Sequence, residues 1–294
     1  MHFRKTALIG VGLLGGSLGL AIQRRKISDR VVGYVRREAS IAACREHGVV
    51  DEATMDLSAA VAGADLVVFC TPLAQMRELA TKAIPHLKDG AIVTDVGSVK
   101  GQVVREMSPL FTESPAVFIG SHPMAGSEKT GPAAAREHLF DNASCILTPV
   151  ADTPADALQQ LDLFWAAVGC RTLRLTPEEH DDLIGRCSHL PHVVAAGLAN
   201  YVLSPMHPPE QAELCATGFR DTTRVASGSI EMWRDIVLQN REYLQRILGV
   251  FIEDLEEFRR AIAEGDEAVV VDFFKAAKER RDAWKEEFNK RTES

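Results

Sequence analysis

Histidines stand out among the residues that could do chemistry, because they occur in segments with other polar groups. His122 lies in the segment 120–129, and Ser127 and Glu128 follow it closely. A neutral histidine at a ligand crevice can accept a proton from a substrate hydroxyl while hydride leaves the same carbon atom. A single loop histidine often has a structural role instead, so the interpretation depends on the position of His122 after a predicted strand.

A second group of histidines lies in the part of the sequence predicted to be helical. His180 precedes Asp181, and the segment 188–192 contains both His189 and His192. This density is unusual for a core helix, and a metal site is the alternative interpretation. No set of carboxylates or thiols completes a convincing metal site, so the sequence favours a site without metal.

Two further segments contribute a hydroxyl and a positive charge. Ser98 follows a predicted strand in the segment 95–101, at the edge where α/β sheets bind ligands. The segment 218–224 begins with a glycine and contains Arg220 and Arg224. An arginine that faces a crevice most naturally binds a carboxylate. These residues together predict an anionic substrate.

A glycine-rich turn near the N-terminus indicates which cofactor the site would use. The predicted strand Thr6–Ile9 leads into the pattern G-x-G-x-x-G and then into a predicted helix, Leu13–Ile22. Such a turn binds the pyrophosphate of a dinucleotide at the helix N-terminus. We expect the dinucleotide to contact this turn and the end of a later strand, at Gly10, Gly12, Leu13, Leu14, Gly15, Cys70 and Thr71. The residues alone therefore predict a metal-free dehydrogenase acting on an anionic hydroxy compound.

The end of the second predicted strand bears on the choice between NAD and NADP. In NAD-binding versions of this fold an acidic residue closes that strand and binds the ribose 2′-hydroxyl. Here Val35 occupies the position, and Arg36 and Arg37 follow it. The missing acid removes a repulsion against a 2′-phosphate, and the two guanidinium groups next to this position could bind that phosphate. The sequence favours NADP, with NAD as the alternative if both arginines are solvated loop residues.

Composition and charge argue against several kinds of partner. The 294 residues include 33 Lys and Arg against 41 Asp and Glu, and this net charge of −8 argues against nucleic acid. No apolar run approaches the roughly 18 residues of a membrane span, and the first residues leave no room for a signal peptide. Six scattered cysteines without a C-x-x-C pair are typical of a reduced, cytoplasmic protein.

The elements that must position the site divide the chain into two predicted domains. Apolar strands alternate with helices in residues 1–175, which predicts an α/β fold with a doubly wound, Rossmann-type parallel sheet. Residues 176–294 lack strong strand candidates and are predicted to form an all-helical substrate and dimerisation domain. Apolar residues recur there at helical spacing in Glu231–Ile262 and Val270–Phe288, which indicates faces completed by a second subunit. The other predicted strands are Val31–Val35, Leu66–Cys70, Ala91–Asp95, Val117–Gly120, Cys145–Pro149 and Arg171–Leu175, and the clearest helices are Leu73–Leu87 and Ala155–Val168.

These motifs resemble those of the prephenate/arogenate dehydrogenases of tyrosine biosynthesis. The matching segments are residues 10–21, 95–101, 120–131, 180–192 and 218–226, in the family's order. The most specific feature is the combination of HPMAGSE with SHLPH. The resemblance implies an oxidative decarboxylation: hydride leaves the ring carbon that bears the hydroxyl, the ring carboxylate departs as CO2, and the ring becomes aromatic.

The resemblance also implies roles for single residues and an assembly state. His122 would hydrogen-bond the ring hydroxyl and polarise or deprotonate it, and Ser98 would orient that hydroxyl and the nicotinamide. Arg224 would bind the ring carboxylate, and His192 would lie near the substrate side chain. Family members pair through the helical domain, so a homodimer is expected. The remaining expected substrate contacts are Ser127, Glu128, His180 and His189.

Several alternatives stay open at this point. Prephenate and arogenate are not distinguished, because the segment 215–218 near the side-chain pocket is less glycine-rich than the family's pattern. A β-hydroxyacid dehydrogenase would normally use a lysine that the histidine-rich segment lacks. A regulatory dinucleotide sensor would have a damaged site, whereas His122, Ser98 and Arg224 are present. The chain length leaves no room for the chorismate mutase or regulatory domains fused to some relatives, so neither is expected.

Overall fold

The structure, a computed structural model, describes residues 2–127 and 129–293, with only the backbone for 291–293. Its strands are β1 (Thr6–Ile9), β2 (Val31–Tyr34), β3 (Glu52–Thr54), β4 (Leu66–Phe69), β5 (Ile92–Asp95), β6 (Val117–Phe118), β7 (Gly120–Pro123), β8 (Ser144–Thr148) and β9 (Arg171–Arg174). Its α-helices are α1 (Leu13–Arg24), α2 (Glu38–Glu46), α3 (Leu57–Val61), α4 (Leu73–Ala83), α5 (Gly101–Met107), α6 (Ala155–Val168), α7 (Pro177–Ile184), α8 (Leu190–Val202), α9 (Glu210–Glu213), α10 (Thr217–Thr223), α11 (Ile230–Gln239), α12 (Arg241–Glu264) and α13 (Glu267–Glu293).

Strands β1 to β6 form one parallel sheet in the order β3-β2-β1-β4-β5-β6. The order reverses between β1 and β4, which is the switch point where doubly wound sheets bind ligands at the carboxyl ends of their strands. Both faces of the sheet are covered: Leu8 faces one buried apolar cluster and Ile9 the other. Runs of consecutive apolar residues are therefore satisfied on both sides, and the predicted doubly wound parallel sheet is confirmed. The short, polar strand β3 has no apolar run and was missed by the sequence pattern.

Strands β7, β8 and β9 form a separate sheet, in which β7 is antiparallel to β8 and β8 is parallel to β9. The expectation that the segments of β8 and β9 continue the parallel sheet was wrong. The chain leaves the first sheet after Ile119, whose N–H still donates to the Val93 carbonyl at 2.9 Å. Beyond it the Ser121 hydroxyl donates to the Asp95 carbonyl at 2.5 Å, so a side chain links β7 to β5. As a result His122 lies within a strand and not on the loop that follows one.

The described elements from Pro177 onward are helical, as the sequence predicts. Helix α7 begins with a reciprocal cap: the Thr176 hydroxyl accepts from the Glu179 N–H at 3.1 Å, and the Glu179 carboxylate accepts from the Thr176 N–H at 2.9 Å. A π-helical turn, Gly185–His189, joins α7 to α8. Such turns are frequent at functional sites, and this one contributes a candidate site histidine.

The chain separates into two compact units, Met1–Arg241 and Glu242–Ser294. The first unit contains both sheets and every candidate site residue named above. In the second unit α12 and α13 pack together through Phe258 and Phe273, whose rings stack with centroids 4.1 Å apart. Across the residues that the structure describes, no helix has both the length and the apolar character needed to cross a membrane.

Candidate active site

A line of buried polar side chains runs from β7 to α7. His122 Nδ1 lies 2.8 Å from His180 Nε2, and His180 Nδ1 lies 2.8 Å from the Asp181 carboxylate. The three residues are only 6%, 0% and 2% exposed, respectively. His122 Nε2 has no hydrogen-bond partner among the described residues, yet it is not one of their fully enclosed polar atoms. This nitrogen is therefore open to a ligand, while the rest of the ring is held inside the protein.

The carboxylate of Asp181 also connects the helical segment to the α/β part. One oxygen accepts from the Lys100 N–H at 2.7 Å and the other from the Gly101 N–H at 2.8 Å. These two N–H groups lie at the start of α5 and would otherwise lack acceptors. On the other side, the Asn240 side chain donates to the Asp181 carbonyl at 3.0 Å. Asp181 is thus held through its carboxylate by main-chain N–H groups and through its own carbonyl by the Asn240 side chain.

A buried ion pair lies beneath His122. The ammonium of Lys100 pairs with the carboxylate of Asp95, and both side chains have 0% exposure. The same ammonium donates to the Ser121 carbonyl at 3.0 Å, and the second Asp95 oxygen accepts from the Ser121 N–H at 3.2 Å. Buried charges need such compensation, because an unpaired one is costly in the protein interior. The pair fixes the backbone immediately before His122.

Burial keeps the histidines of this region neutral at pH 7. Desolvation lowers the pKa of His122 well below its usual value, and the positive charge of the neighbouring Lys100 lowers it further. Burial also lowers the pKa of His180, against the opposing effect of its hydrogen bond to Asp181. For His189, burial lowers the pKa to about 4. A neutral imidazole is the form that can accept a proton.

His189 has one ring nitrogen bonded and the other without a partner. Its Nδ1 lies 2.9 Å from the Asn240 side-chain nitrogen, which must donate because the same group also donates to the Asp181 carbonyl. The proton of the neutral ring is therefore on Nε2. That N–H lies beside the main chain of Ser98 but makes no well-formed hydrogen bond within the described residues. The buried ring thus provides a spare donor next to the Ser98 segment.

His192 and Arg224 lie further along the same group of side chains. The ring of His192 stacks on Trp233 with centroids 3.8 Å apart, and its Nδ1 lies 3.0 Å from the Ser188 carbonyl. Burial lowers the pKa of His192, and the positive charge of Arg224 lowers it further. Arg224 therefore lies near enough to His192 for its charge to act on this ring.

The glycine turn has the geometry that a dinucleotide needs. Gly10 has φ +98°, a value that favours glycine, and a Cβ on Gly15 would collide with the Gly10 carbonyl oxygen. A Cβ on Gly12 would meet nothing within 4 Å, so the backbone is open there. Helix α1 has no side-chain N-cap, which leaves its N–H groups for an anion. The hydroxyl of Thr71 is buried without a partner in the described chain, and this loop packs directly against Gly10. The turn therefore fits the phosphates of a dinucleotide.

The end of β2 suits a negatively charged group. Val35, in the position of the usual acid, is buried, and its N–H donates to the Thr54 carbonyl at 2.9 Å. Arg36 and Arg37 are both exposed. Within residues 2–127 and 129–293 neither guanidinium has an ion-pair partner, so both are available to an anion.

The remaining residues predicted for the substrate site are Ser98, Ser127, Glu128 and His180. Ser98 is half-buried on the loop after β5, and Ser127 follows β7, where its hydroxyl accepts from the Lys129 N–H at 3.2 Å. Glu128 lies outside the described residues. His180 is enclosed behind His122 with both ring nitrogens engaged, so neither is available for a polar contact with substrate.

Sequence reasoning gave no role to several residues that support the site. These are Asp95, Lys100, Asp181, Asn240 and Trp233. A signal was present for the first two, because a charged residue at each end of the short segment 95–100, among apolar neighbours, predicts a paired interior charge. The other contacts join segments far apart in the chain and have no local signature.

The fold and this site define a dinucleotide-dependent dehydrogenase with a Rossmann-type domain followed by a helical domain. Residues 18–174 match the family model for the prephenate dehydrogenase nucleotide-binding domain, and residues 176–276 match that for the prephenate dehydrogenase dimerization domain. The chain belongs to the prephenate dehydrogenase family.

Similar proteins agree with this assignment. A prephenate dehydrogenase of Bacillus subtilis is 37% identical over 280 residues, which cover 94% of this chain and 74% of that protein. The crystal structure of prephenate dehydrogenase from A. aeolicus in complex with hydroxyphenyl propionate and NAD+ has 31% identity and a TM-score of 0.89, covering 96% of this chain and 98% of that one. The structure of Synechocystis arogenate dehydrogenase has 31% identity and a TM-score of 0.81, covering 95% and 99%.

Proposed function

We propose that this dehydrogenase converts prephenate to 4-hydroxyphenylpyruvate by oxidative decarboxylation, with NADP favoured over NAD. The observation that carries the proposal is the buried His122, whose Nδ1 is bonded to His180 and whose Nε2 is open, with Arg224 near His192 as the positive charge. A base and a guanidinium suit a substrate that has both a hydroxyl and a carboxylate on its ring.

The proposed roles of the residues follow from their surroundings. His122 accepts the proton of the ring hydroxyl at Nε2. Arg224 binds the ring carboxylate, and its exposure suits a group that must be released as CO2 and not retained. When bound, the nicotinamide accepts the hydride from the carbon that bears the hydroxyl. Ser98 is proposed to orient the hydroxyl, and the Nε2–H of His189 is available to hold this loop or the ligand beside it.

The other proposed substrate contacts are Ser127, Glu128 and His192. His180, which the resemblance places in the pocket, is enclosed behind His122 and is proposed to act on the substrate only through that ring. His192 stacks on Trp233, and this flat surface suits the substrate side chain.

The preference for NADP is proposed from the end of β2. A 2′-phosphate needs positive charge and no acid at the end of β2, and Arg36 and Arg37 with Val35 in the position of the acid provide this combination. The phosphates of either cofactor would bind at Gly10, Gly12 and the N-terminus of α1, with Leu13, Leu14, Gly15, Cys70 and Thr71 around them.

Assembly as a homodimer is proposed through residues 176–294, with the domain boundary near residue 175. The support is the match of residues 176–276 to a dimerization domain and a set of exposed apolar side chains in that region. Those on α12 and α13 include Val250, Ile252, Leu255, Ile262, Val271 and Phe274.

Arogenate is the second candidate substrate, alone or together with prephenate. The likeness to an arogenate dehydrogenase over 95% of the chain supports it. Arogenate differs from prephenate in its side chain and not in its reacting ring, so both candidates use the same proposed base and guanidinium.

A comparison of prephenate and arogenate, each with NADP and with NAD, tests the proposal. We expect reduction of NADP with prephenate, accompanied by CO2 and an aromatic product in equal amounts. Turnover with arogenate alone would replace prephenate as the substrate. Binding of the dinucleotide without turnover of either compound would instead favour a regulatory sensor and overturn the proposed activity.

A further inference from the structure

The hydrogen bonds of Asp181 determine where the protons of the neighbouring histidines lie. Both carboxylate oxygens accept main-chain N–H groups, at 2.7 Å from Lys100 and 2.8 Å from Gly101. A carboxylate in this position has no proton to donate, so the 2.8 Å contact to His180 requires a proton on His180 Nδ1.

The same logic extends one residue further. Neutral His180 with a proton on Nδ1 has only a lone pair on Nε2, and this atom lies 2.8 Å from His122 Nδ1. His122 must therefore donate from Nδ1, which leaves the lone pair on Nε2, the nitrogen open to a ligand. The opposite tautomer of His122 would place two lone pairs against each other and present an N–H to the substrate.

We propose that Asp181 and His180 are positioning residues that make His122 a base and then share the proton it accepts. In this step, which rests on the proposed function, the substrate hydroxyl gives its proton to His122 Nε2. The proton on His122 Nδ1 shifts to His180 Nε2, so the positive charge comes to lie next to the Asp181 carboxylate. When CO2 has left and the ring becomes aromatic, the phenolate oxygen of the bound product takes the proton back from His122 Nε2, and the proton on His180 Nε2 returns to His122 Nδ1. No group outside the chain and substrate is needed for this transfer.

The other charged groups near His122 do not provide this stabilisation. The ammonium of Lys100, before α5, is already paired with Asp95 at the end of β5. His189, in the π-helical turn, has its pKa lowered to about 4 and stays neutral at pH 7. The carboxylate of Asp181 accepts main-chain N–H groups, which carry no net charge to neutralise it. It lies 2.8 Å from His180 Nδ1, so its negative charge stabilises a protonated His180 ring.

The first test reads the tautomer directly in the unmodified protein. Nitrogen-15 spectra of enzyme labelled at its nine histidines distinguish a protonated Nδ1 from a protonated Nε2. The signals of His122 are assigned as those that disappear in a His122→Asn variant. We expect His122 to carry its proton on Nδ1 at neutral pH without substrate or cofactor. A proton on Nε2 would overturn the proposal, whatever the activity of any variant.

The second test separates orientation from proton sharing. Glutamine in His180→Gln can accept from His122 Nδ1–H with its amide oxygen and donate to Asp181, but it cannot take up a proton. We expect kcat to fall about 10-fold to 100-fold in His180→Gln and further in His180→Leu, with little change in KM. The acid limb of kcat/KM should move to lower pH, because His122 loses the group that shares its charge.

Matched controls decide what a negative result means. Asp182→Asn changes the neighbouring carboxylate, which pairs with Arg186 at 2.5 Å, and should leave the pH profile unchanged. If His180→Gln has the wild-type profile while His122→Asn is inactive, the proton sharing is refuted and His122 remains the base. If His122→Asn keeps wild-type turnover, the proposed function itself fails.

Discussion

His122 and Arg224, the two groups proposed to handle the substrate, are held in very different ways. His122 lies in β7 with 6% exposure and one ring nitrogen fixed by His180. Arg224 begins a short 3-10 turn after α10 and is exposed, with His192 as the group on which its charge acts. The first region is enclosed, and the second is open.

The difference follows from what each region must do. Proton transfer depends on the tautomer and pKa of one ring, so the ring is enclosed and both properties are set by fixed neighbours. Binding a carboxylate that departs as CO2 needs charge, but a tightly enclosed charge pair would retain the group. Variants in the enclosed region should therefore affect turnover, and variants in the open region should affect binding.

The largest effect is expected for His122→Asn. Asparagine can still hydrogen-bond to His180, but it cannot accept a proton, so kcat should fall by about 10²-fold to 10⁴-fold with little change in KM. Steady-state kinetics and a thermal melt of the same preparation measure this. His86→Asn, at an exposed histidine, is the matched control and should behave as wild type. Near-normal turnover of His122→Asn would contradict the expectation that variants in the enclosed region affect turnover.

Much of the fold that supports His122 could be predicted from the sequence. The predicted strand Thr6–Ile9 and helix Ala155–Val168 match the structure to the residue, because buried parallel strands and apolar helix faces leave clear periodicities. The end of the sheet could not be predicted in this way. Strand β7 pairs with β8, and Ser121 bonds to Asp95, and both contacts join segments that local patterns do not relate.

The candidate site likewise contains residues that local sequence patterns indicate and residues that they do not. Polar residues that follow a predicted strand, such as His122 and Ser98, are visible in the sequence. Asp181 is not, because its role depends on N–H groups about 80 positions away at the start of α5. The resemblance implies a substrate contact for His180, whereas the structure encloses this ring behind His122.

The enclosed region should also make the fold sensitive to acid. His189 has its pKa lowered from 6.5 to about 4, so between these values the unfolded chain binds a proton that the folded one does not. The free energy of unfolding should therefore fall as pH decreases from 6.5 towards 4, by roughly 3 kcal/mol from this residue. Urea denaturation at pH 7.5 and pH 5 measures the slope. His189→Gln should flatten it, and an unchanged slope would mean that the residue titrates normally.

Variants of Arg224 test the open region. Arg224→Gln removes a charge-assisted contact worth about 1.5–3 kcal/mol, so KM for the substrate should rise about 10-fold to 100-fold while kcat changes little. Arg224→Lys should recover part of the loss. Arg220→Gln is the matched control, because Arg220 is also exposed on this segment and pairs with Asp221 at 3.2 Å. A loss confined to kcat would mean that Arg224 acts in the chemical step, and the open region would then not differ from the enclosed one.

The smallest effect is expected at the cofactor end, where Arg36 is exposed like Arg224 and should likewise act on binding alone. Arg36→Ala should raise KM for NADP about tenfold and leave KM for NAD nearly unchanged, because only NADP has the 2′-phosphate. Arg45→Ala, at an exposed arginine of α2, should change neither value. Equal effects of Arg36→Ala on both cofactors would mean that the residue contacts a part they share. The missing acid at Val35 would then say nothing about cofactor preference.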